Sequence, residues 1–281
     1  MNLTINTLLD RIGELPPMQE AAQKALIMIR HPDTNMRALA EVLSTDQILA
    51  SLVLRWANSA YYGLSAPVKT VQQAVVVLGK NTIQSLLFAA TLANLLNRPA
   101  PGYALDRGAL WKHSIGVAAG ARLIAARYNP ALMEEAYHAG LLCDVGKLAL
   151  EFYLRDVQFD REKIKNMSFI EIETGLLGMD HAVIGKELAH RWNLPVSLQN
   201  AIAFHHRPSQ AGDAFILASA VHLADAATML LGIGIGSDGL QYPLDEAALV
   251  RLNWSEDSFT ELFEKIPAAV SAAVDLIGMM K

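Results

Sequence analysis

Seven side chains in this sequence have the types and the order from which a metal centre can be built: His113, Cys143, Asp144, His181, His205, His206 and Asp225. Imidazole nitrogens beside carboxylate oxygens are donors for zinc, iron or manganese, and a shared carboxylate can bridge two ions with a water between them. Ions so placed lower the pKa of that water and clamp a phosphoryl group, which is the chemistry of a phosphohydrolase. Cys143 and Asp144 lie in the stretch Leu141-Leu142-Cys143-Asp144-Val145-Gly146-Lys147. The Cys143 thiolate would be a good ligand for zinc or iron. The same side chain, protonated, would pack as a small hydrophobe, and the apolar Leu141 and Leu142 before it favour that second state.

Each residue also has a purely structural reading. His113 on an apolar helical face can be a core histidine bonded to a backbone carbonyl. His181 can simply follow an Asp180 cap, and His205-His206 at a helix C-terminus can interact with the helix dipole. Asp225 is harder to place this way. A carboxylate within Ala218-Ser219-Ala220-Val221-His222-Leu223-Ala224-Asp225 is costly to bury without a partner, and His222, one turn earlier, is a candidate for that partner.

The elements that must position these groups read as helices almost throughout. Met18 to Arg30 carries Ala22, Ala25, Leu26 and Ile29 on one face. Met36, Leu39, Ala40 and Leu43 make a second stripe. Asp46 caps a third helix, which Gly63 ends in a left-handed conformation. Thr70 to Leu78 is a fourth, stopped by Gly79, and Asn81 caps a fifth that runs to Leu96. Arg98-Pro99-Ala100-Pro101-Gly102 then breaks the chain, giving an N-terminal helical lobe over 1–98 and a second helical lobe over 99–281. In the second lobe the expected helices are Leu105 to Tyr128, Ala131 to Leu142, one opened by a Ser168-x-x-Glu171 capping box, and one from His181 to Trp192 capped by Asp180. Then follow one with Pro195 in its first turn, Ala214 to Leu231 capped by Asp213, and a last one opened by Ser258-x-x-Glu261, with a kink or break at Pro267. Gly232-Ile233-Gly234-Ile235-Gly236-Ser237 belongs to a formal G-x-G-x-x-G. It follows a helix and not a strand, so it reads as a loop and not as a dinucleotide site.

The composition narrows the function classes. Of 281 residues, 52% are hydrophobic and only 18% charged, which suits a deep interior or a partner-covered surface. The net charge of −5 offers no basic footprint for nucleic acid. A single cysteine rules out an internal disulfide and fits a reducing cytoplasm. Asp10, Arg11 and Glu14 interrupt any secretion signal, and the apolar run from Ala226 to Gly236 is shorter than the roughly 20 residues a spanning helix requires. These points predict a soluble cytoplasmic protein with neither nucleic acid nor membrane as partner.

From about Leu15 to Leu231 the sequence resembles the HDOD domain family, bacterial signalling modules distantly related to the HD phosphohydrolases. The resemblance rests on Leu15-Pro16-Pro17, Arg55-Trp56-Ala57-Asn58-Ser59-Ala60-Tyr61-Tyr62-Gly63, Val71 to Gly79, Trp111-Lys112-His113-Ser114, Cys143-Asp144, Gly178-Met179-Asp180-His181, Phe204-His205-His206 and His222-Leu223-Ala224-Asp225, all in the family's order. It implies an all-helical fold, an N-terminal helical lobe packed on an HD-like lobe, and a role in signal transduction. By analogy with the HD and HD-GYP phosphohydrolases, His113, Asp144 and Asp225 match three of the four basic metal ligands, and His181, His205 and His206 match the additional histidines of the two-metal class. Lys147 matches the lysine that meets substrate phosphate, so Lys147 and Asp144 are the candidate catalytic groups. Cys143 stands where the His of the His-Asp pair belongs, and no Gly-Tyr-Pro segment lies between Lys147 and His181. Cyclic-di-GMP hydrolysis therefore does not carry over. The expectation is a non-catalytic signalling module acting on a protein partner or small ligand, with homo-oligomers left open. The alternatives are a metal-dependent phosphohydrolase with an altered site for iron, zinc, manganese or magnesium, and a metal-bound sensor that performs no hydrolysis.

Overall fold

Apolar spacing and short polar caps set the first helices. Helix α1 (Glu20–Ile29) buries Ala22, Ala25, Leu26 and Ile29. Asn35 accepts from the amides of Arg37 and Ala38 and starts α2 (Met36–Ser44), and Asp46 does the same for α3 (Gln47–Ala57) through Ile48 and Leu49. Helix α4 (Val71–Leu96) is interrupted at Gly79, whose φ of 72° and ψ of 162° are not helical. The computed structural model describes residues 20–29, 31, 33–58, 66–157, 167–192, 194–237 and 243–278. Among these there are thirteen α-helices and no strand, only an isolated bridge between Ala100 and Leu105. The fold is all-α, as expected.

The described residues up to 95, with the end of the last helix from Ala272, form one compact unit; those from Leu96 to Ser271 form a second. The core of the first gathers Ala25, Leu39, Leu43, Val53, Val75, Ile83 and Leu87. The second unit holds α5 (Ala109–Tyr128), α6 (Met133–Leu142), α7 (Lys147–Leu154), α8 (Phe169–Leu177), α9 (His181–Arg191), α10 (Val196–Ala203), α11 (Phe215–Leu230), α12 (Glu246–Arg251) and α13 (Glu256–Gly278), the last only to Ser271. Helix α11 lies against α5, and α5 against α6. Small residues allow the approach: a Cβ at Gly116 would come within 2.7 Å of Thr228, and one at Gly120 within 2.9 Å of Ala224. His113 shares the α5 face of these glycines, at i+3 and i+7 spacing, so the packing brings it to Asp225 on α11.

Several helix starts differ from the sequence expectation. Helix α5 begins at Ala109, because Leu105 pairs with Ala100 and Gly108 adopts a φ of 80°. Residues 130–132 form a 3₁₀ turn before α6. Asp213 does not cap α11; it sits in a 3₁₀ turn, Gly212–Ala214, and no side chain caps the helix. Helix α13 starts at Glu256, so Ser258 is inside it, and the helix continues past Pro267 without ending. The Ser168–Glu171 capping box and the Asp180 cap form as expected. Gly63 and Leu15-Pro16-Pro17 lie outside the described residues. Residues Gly212–Leu230 are long and apolar enough to cross a bilayer by length and composition, and 72% of that window is buried within the protein.

Candidate metal centre

The chain between α6 and α7 carries the central carboxylate. Helix α6 is capped at Cys143, and Asp144 follows, 2% exposed. Gly146 lets this corner meet α9: a Cβ there would stand 2.0 Å from the His181 carbonyl oxygen. Asp144 is thereby surrounded. Its Oδ2 lies 2.9 Å from Lys147 Nζ and 3.5 Å from His113 Nε2; its Oδ1 lies 3.4 Å from His181 Nε2 and 3.9 Å from His205 Nε2. Burial would raise the Asp144 pKa, but the charges of Lys147, His181 and His113 hold it well below the usual carboxylate range.

The imidazoles are oriented from behind. His181 Nδ1 donates to Glu173 at 2.8 Å, and His205 Nδ1 donates to the Ile202 carbonyl at 2.7 Å. A carbonyl can only accept, so His205 carries its proton on Nδ1 and presents a bare Nε2. That Nε2 is buried and has no hydrogen-bond partner. His181 Nε2 lies 2.9 Å from His206 Nε2. Burial lowers the pKa of all three rings, but Glu173 reverses this for His181, which is raised. Burial and neighbouring histidine charge leave His205 at about 4 and His206 well below its ordinary value. The proton between them therefore belongs to His181, which donates to His206.

Asp144, His181, His205 and His206 each offer one ligand atom within 4.8 Å of the others. Bonds of about 2.1 Å to one tetrahedral ion put donors about 3.4 Å apart, and the spacings around Asp144 Oδ1 are of that size. The donors and the orphaned His205 Nε2 fit a divalent metal.

The remaining candidates take other places. His113 donates through Nδ1 to the Ile233 carbonyl at 3.1 Å and through Nε2 to Asp225 Oδ1 at 2.9 Å. Burial opposes its charge, but Asp225, then Asp144, raise its pKa to about 9. His113 and Asp225 thus form an ion pair beside Asp144, while the partner suggested for Asp225, His222, donates to the His205 carbonyl and accepts from the Asp245 amide. The Cys143 thiol donates to the Gly140 carbonyl of its own helix at 3.2 Å, is fully buried, and is pushed well up in pKa by burial and then by Asp144 and Asp225. It is not among the four converging groups. Lys147 is 2% exposed and faces Asp144.

Two groups at the centre, Glu173 and Tyr103, have no reading from the sequence alone. Glu173, fully buried, accepts from the His181 amide, from its ring and from the Tyr103 hydroxyl at 2.6 Å. Glu173 lies in the sequence Glu171-Ile172-Glu173, two residues past the box glutamate. The available signal was that it falls beside Ile172 on the inward side of a helix whose start was already marked.

The histidines converge on one buried carboxylate within an all-helical unit of HD-like fold. The chain belongs to the HDOD domain family, whose model matches residues 15–208. A signal transduction protein, provisionally so described, from Marinobacter aquaeolei VT8 superposes with a TM-score of 0.70 at 26% identity, over 98% of this chain and 60% of that one. An HDOD domain protein of unknown function from Geobacter sulfurreducens does so at 0.67 and 24%, over 98% and 93%. A provisionally described phosphohydrolase from Shewanella amazonensis SB2B gives 0.63 and 25%, over 92% and 97%. An uncharacterized protein of Treponema pallidum (strain Nichols) is 26% identical over 212 residues, which is 73% of this chain and 40% of that protein's length.

Proposed function

We propose that this chain is a non-hydrolytic signalling module whose HD-like unit holds one divalent cation at Asp144, His181, His205 and His206, and that it acts by binding a protein partner or a small ligand. The supporting observation is burial. Asp144, Lys147, His113, His181, His205 and Asp225 are each at most 5% exposed, and only His206 is half-buried. With Asp144 2% exposed, a phosphodiester would have to displace packed side chains to touch it, which favours a non-hydrolytic role. Held there, a divalent ion supplies positive charge and a cross-link between the α6–α7 corner, the start of α9 and the end of α10. Lys147, facing Asp144, acts in this reading as an internal counter-ion and not as a phosphate contact. A place in the reducing cytoplasm, with neither nucleic acid nor membrane as partner, is part of the same proposal and rests on the net charge of −5 and the single cysteine.

The test is a hydrolysis screen of the purified protein over nucleotides and phosphodiesters with zinc, iron, manganese and magnesium. No turnover is expected. Metal-dependent turnover that Asp144→Ala abolishes would overturn the proposal in favour of the second reading, a phosphohydrolase with an altered site. That reading draws on the surviving ligand order and on the likeness to the Shewanella protein.

A further inference from the structure

We infer that residues 232–237, the glycine-rich segment after α11, are a positioning strap that sets two sides of the cation site from outside it. The inference rests on the cation reading above and adds to it the elements that hold the histidines in place.

The strap begins in the end of α11. Gly232 has a φ of 74°; its amide donates to the Met229 carbonyl and that of Ile233 to Thr228. These are the paired bonds of a Schellman cap, which fixes the peptide that follows. The Ile233 carbonyl then accepts from His113 Nδ1 at 3.1 Å. The same helix supplies Asp225 to the other nitrogen of that ring at 2.9 Å, so α11 and its cap hold His113 at both ends.

The far end of the strap reaches the other side. The Ser237 amide donates to the Tyr103 carbonyl at 2.7 Å. Tyr103 is fully buried and donates its hydroxyl to Glu173, which in turn orients His181. One short segment therefore sets His113 through a carbonyl and His181 through Tyr103 and Glu173.

Glycine is required for this contact. A Cβ at Gly234, where φ is 64°, would stand 2.3 Å from the Ala109 carbonyl oxygen and 2.8 Å from His113 Cβ. A Cβ at Gly236 would stand 2.0 Å from the Tyr103 carbonyl oxygen. Those contacts are with backbone or with the positioned residue itself, so the strap must lift off. Groups that position metal ligands typically change affinity about 10- to 100-fold when removed.

The experiment compares the full chain with Gly234→Ala, Gly236→Ala and the control Gly212→Ala, which has a φ of 56° and open space around it. Cobalt(II) is titrated and followed by its visible absorption, and the imidazole nitrogens of His113 are followed by NMR in cation-free protein. Both strap variants should lose about tenfold or more in cobalt affinity, and Gly234→Ala should also move the His113 Nδ1 resonance away from its carbonyl-bonded position. The control should change neither. Folded strap variants with wild-type affinity and an unchanged His113 spectrum would overturn the inference. If wild-type protein takes up no cobalt, the cation reading fails, and the strap is then decided by the His113 spectrum alone. If either alanine variant does not fold, Ser237→Pro replaces it, because proline removes the amide proton that Tyr103 accepts; unchanged affinity and an unchanged spectrum there would equally refute the strap.

Discussion

Replacing Glu173 with glutamine should both destabilise the HD-like unit and weaken cation binding. The carboxylate accepts from the His181 amide at 2.9 Å, from His181 Nδ1 at 2.8 Å and from Tyr103 Oη at 2.6 Å, all in a fully buried position. Glutamine has nearly the same shape, but its amide nitrogen cannot accept, so at least one of these donors is left unpaired. A buried donor without a partner costs about 1–3 kcal/mol. Losing one side of a buried ion pair costs about 3–5 kcal/mol, and His181, whose charge Glu173 supports, is the other side. Relief is available to His181, which can shed its proton, so a net loss of about 3 kcal/mol is the working figure. For a domain of this size that corresponds to a fall in Tm of about 6–12 °C. Cation affinity should fall about 10- to 100-fold, because the Nε2 of His181 is no longer fixed. Chemical denaturation with and without zinc, together with a zinc titration, reads both. A variant that keeps the wild-type denaturation midpoint and the wild-type affinity would refute the reasoning that Glu173 orients this site.

Three further outcomes follow from the same geometry. Cation uptake should release about one proton per ion, and affinity should rise with pH below the His181 pKa, because the proton that His181 shares with His206 must leave; calorimetry in buffers of different ionisation enthalpy measures it. His138, 8% exposed, has its pKa lowered from 6.5 to about 4 by burial and then by the charge of Arg122. The unfolded state takes up the proton first, so stability should drop as pH falls from 6.5 to about 4, by about 3 kcal/mol from this group, and His138→Leu should flatten that part of the profile. Cys143→His places an imidazole beside Asp144, near the His113–Asp225 pair; it should raise the cation stoichiometry from one to two, at about 1–3 kcal/mol in overpacking, as read by metal analysis and thermal melts.

Much of this was legible in the sequence where one residue acts locally. Asp46, Ser168 and Asp180 cap helices because the acceptor and the free amides lie within three residues of each other, and Gly79 breaks α4 because of its own backbone. Starts governed by distant contacts were not legible. The entry to α5 is set by the Ala100–Leu105 pairing, and that of α11 by a 3₁₀ turn instead of by Asp213. At the site, the order of histidines and aspartates showed which residues to consider, but not how they divide. His113 and Asp225 pair with each other, while His181, His205 and His206 face Asp144, and that depends on helix packing. Glu173 was missed because its partners lie 8 and 70 residues away.

Metal content tests most directly whether Asp144 and three histidines hold a single cation. The full chain is dialysed against zinc, iron(II), manganese and magnesium in turn, freed of unbound ion and subjected to elemental analysis beside His205→Ala. About one transition-metal ion per chain in the wild type, lost in the variant, is the predicted result. Wild-type protein that retains none of these ions, or a His205→Ala variant that retains as much as the wild type, would contradict it.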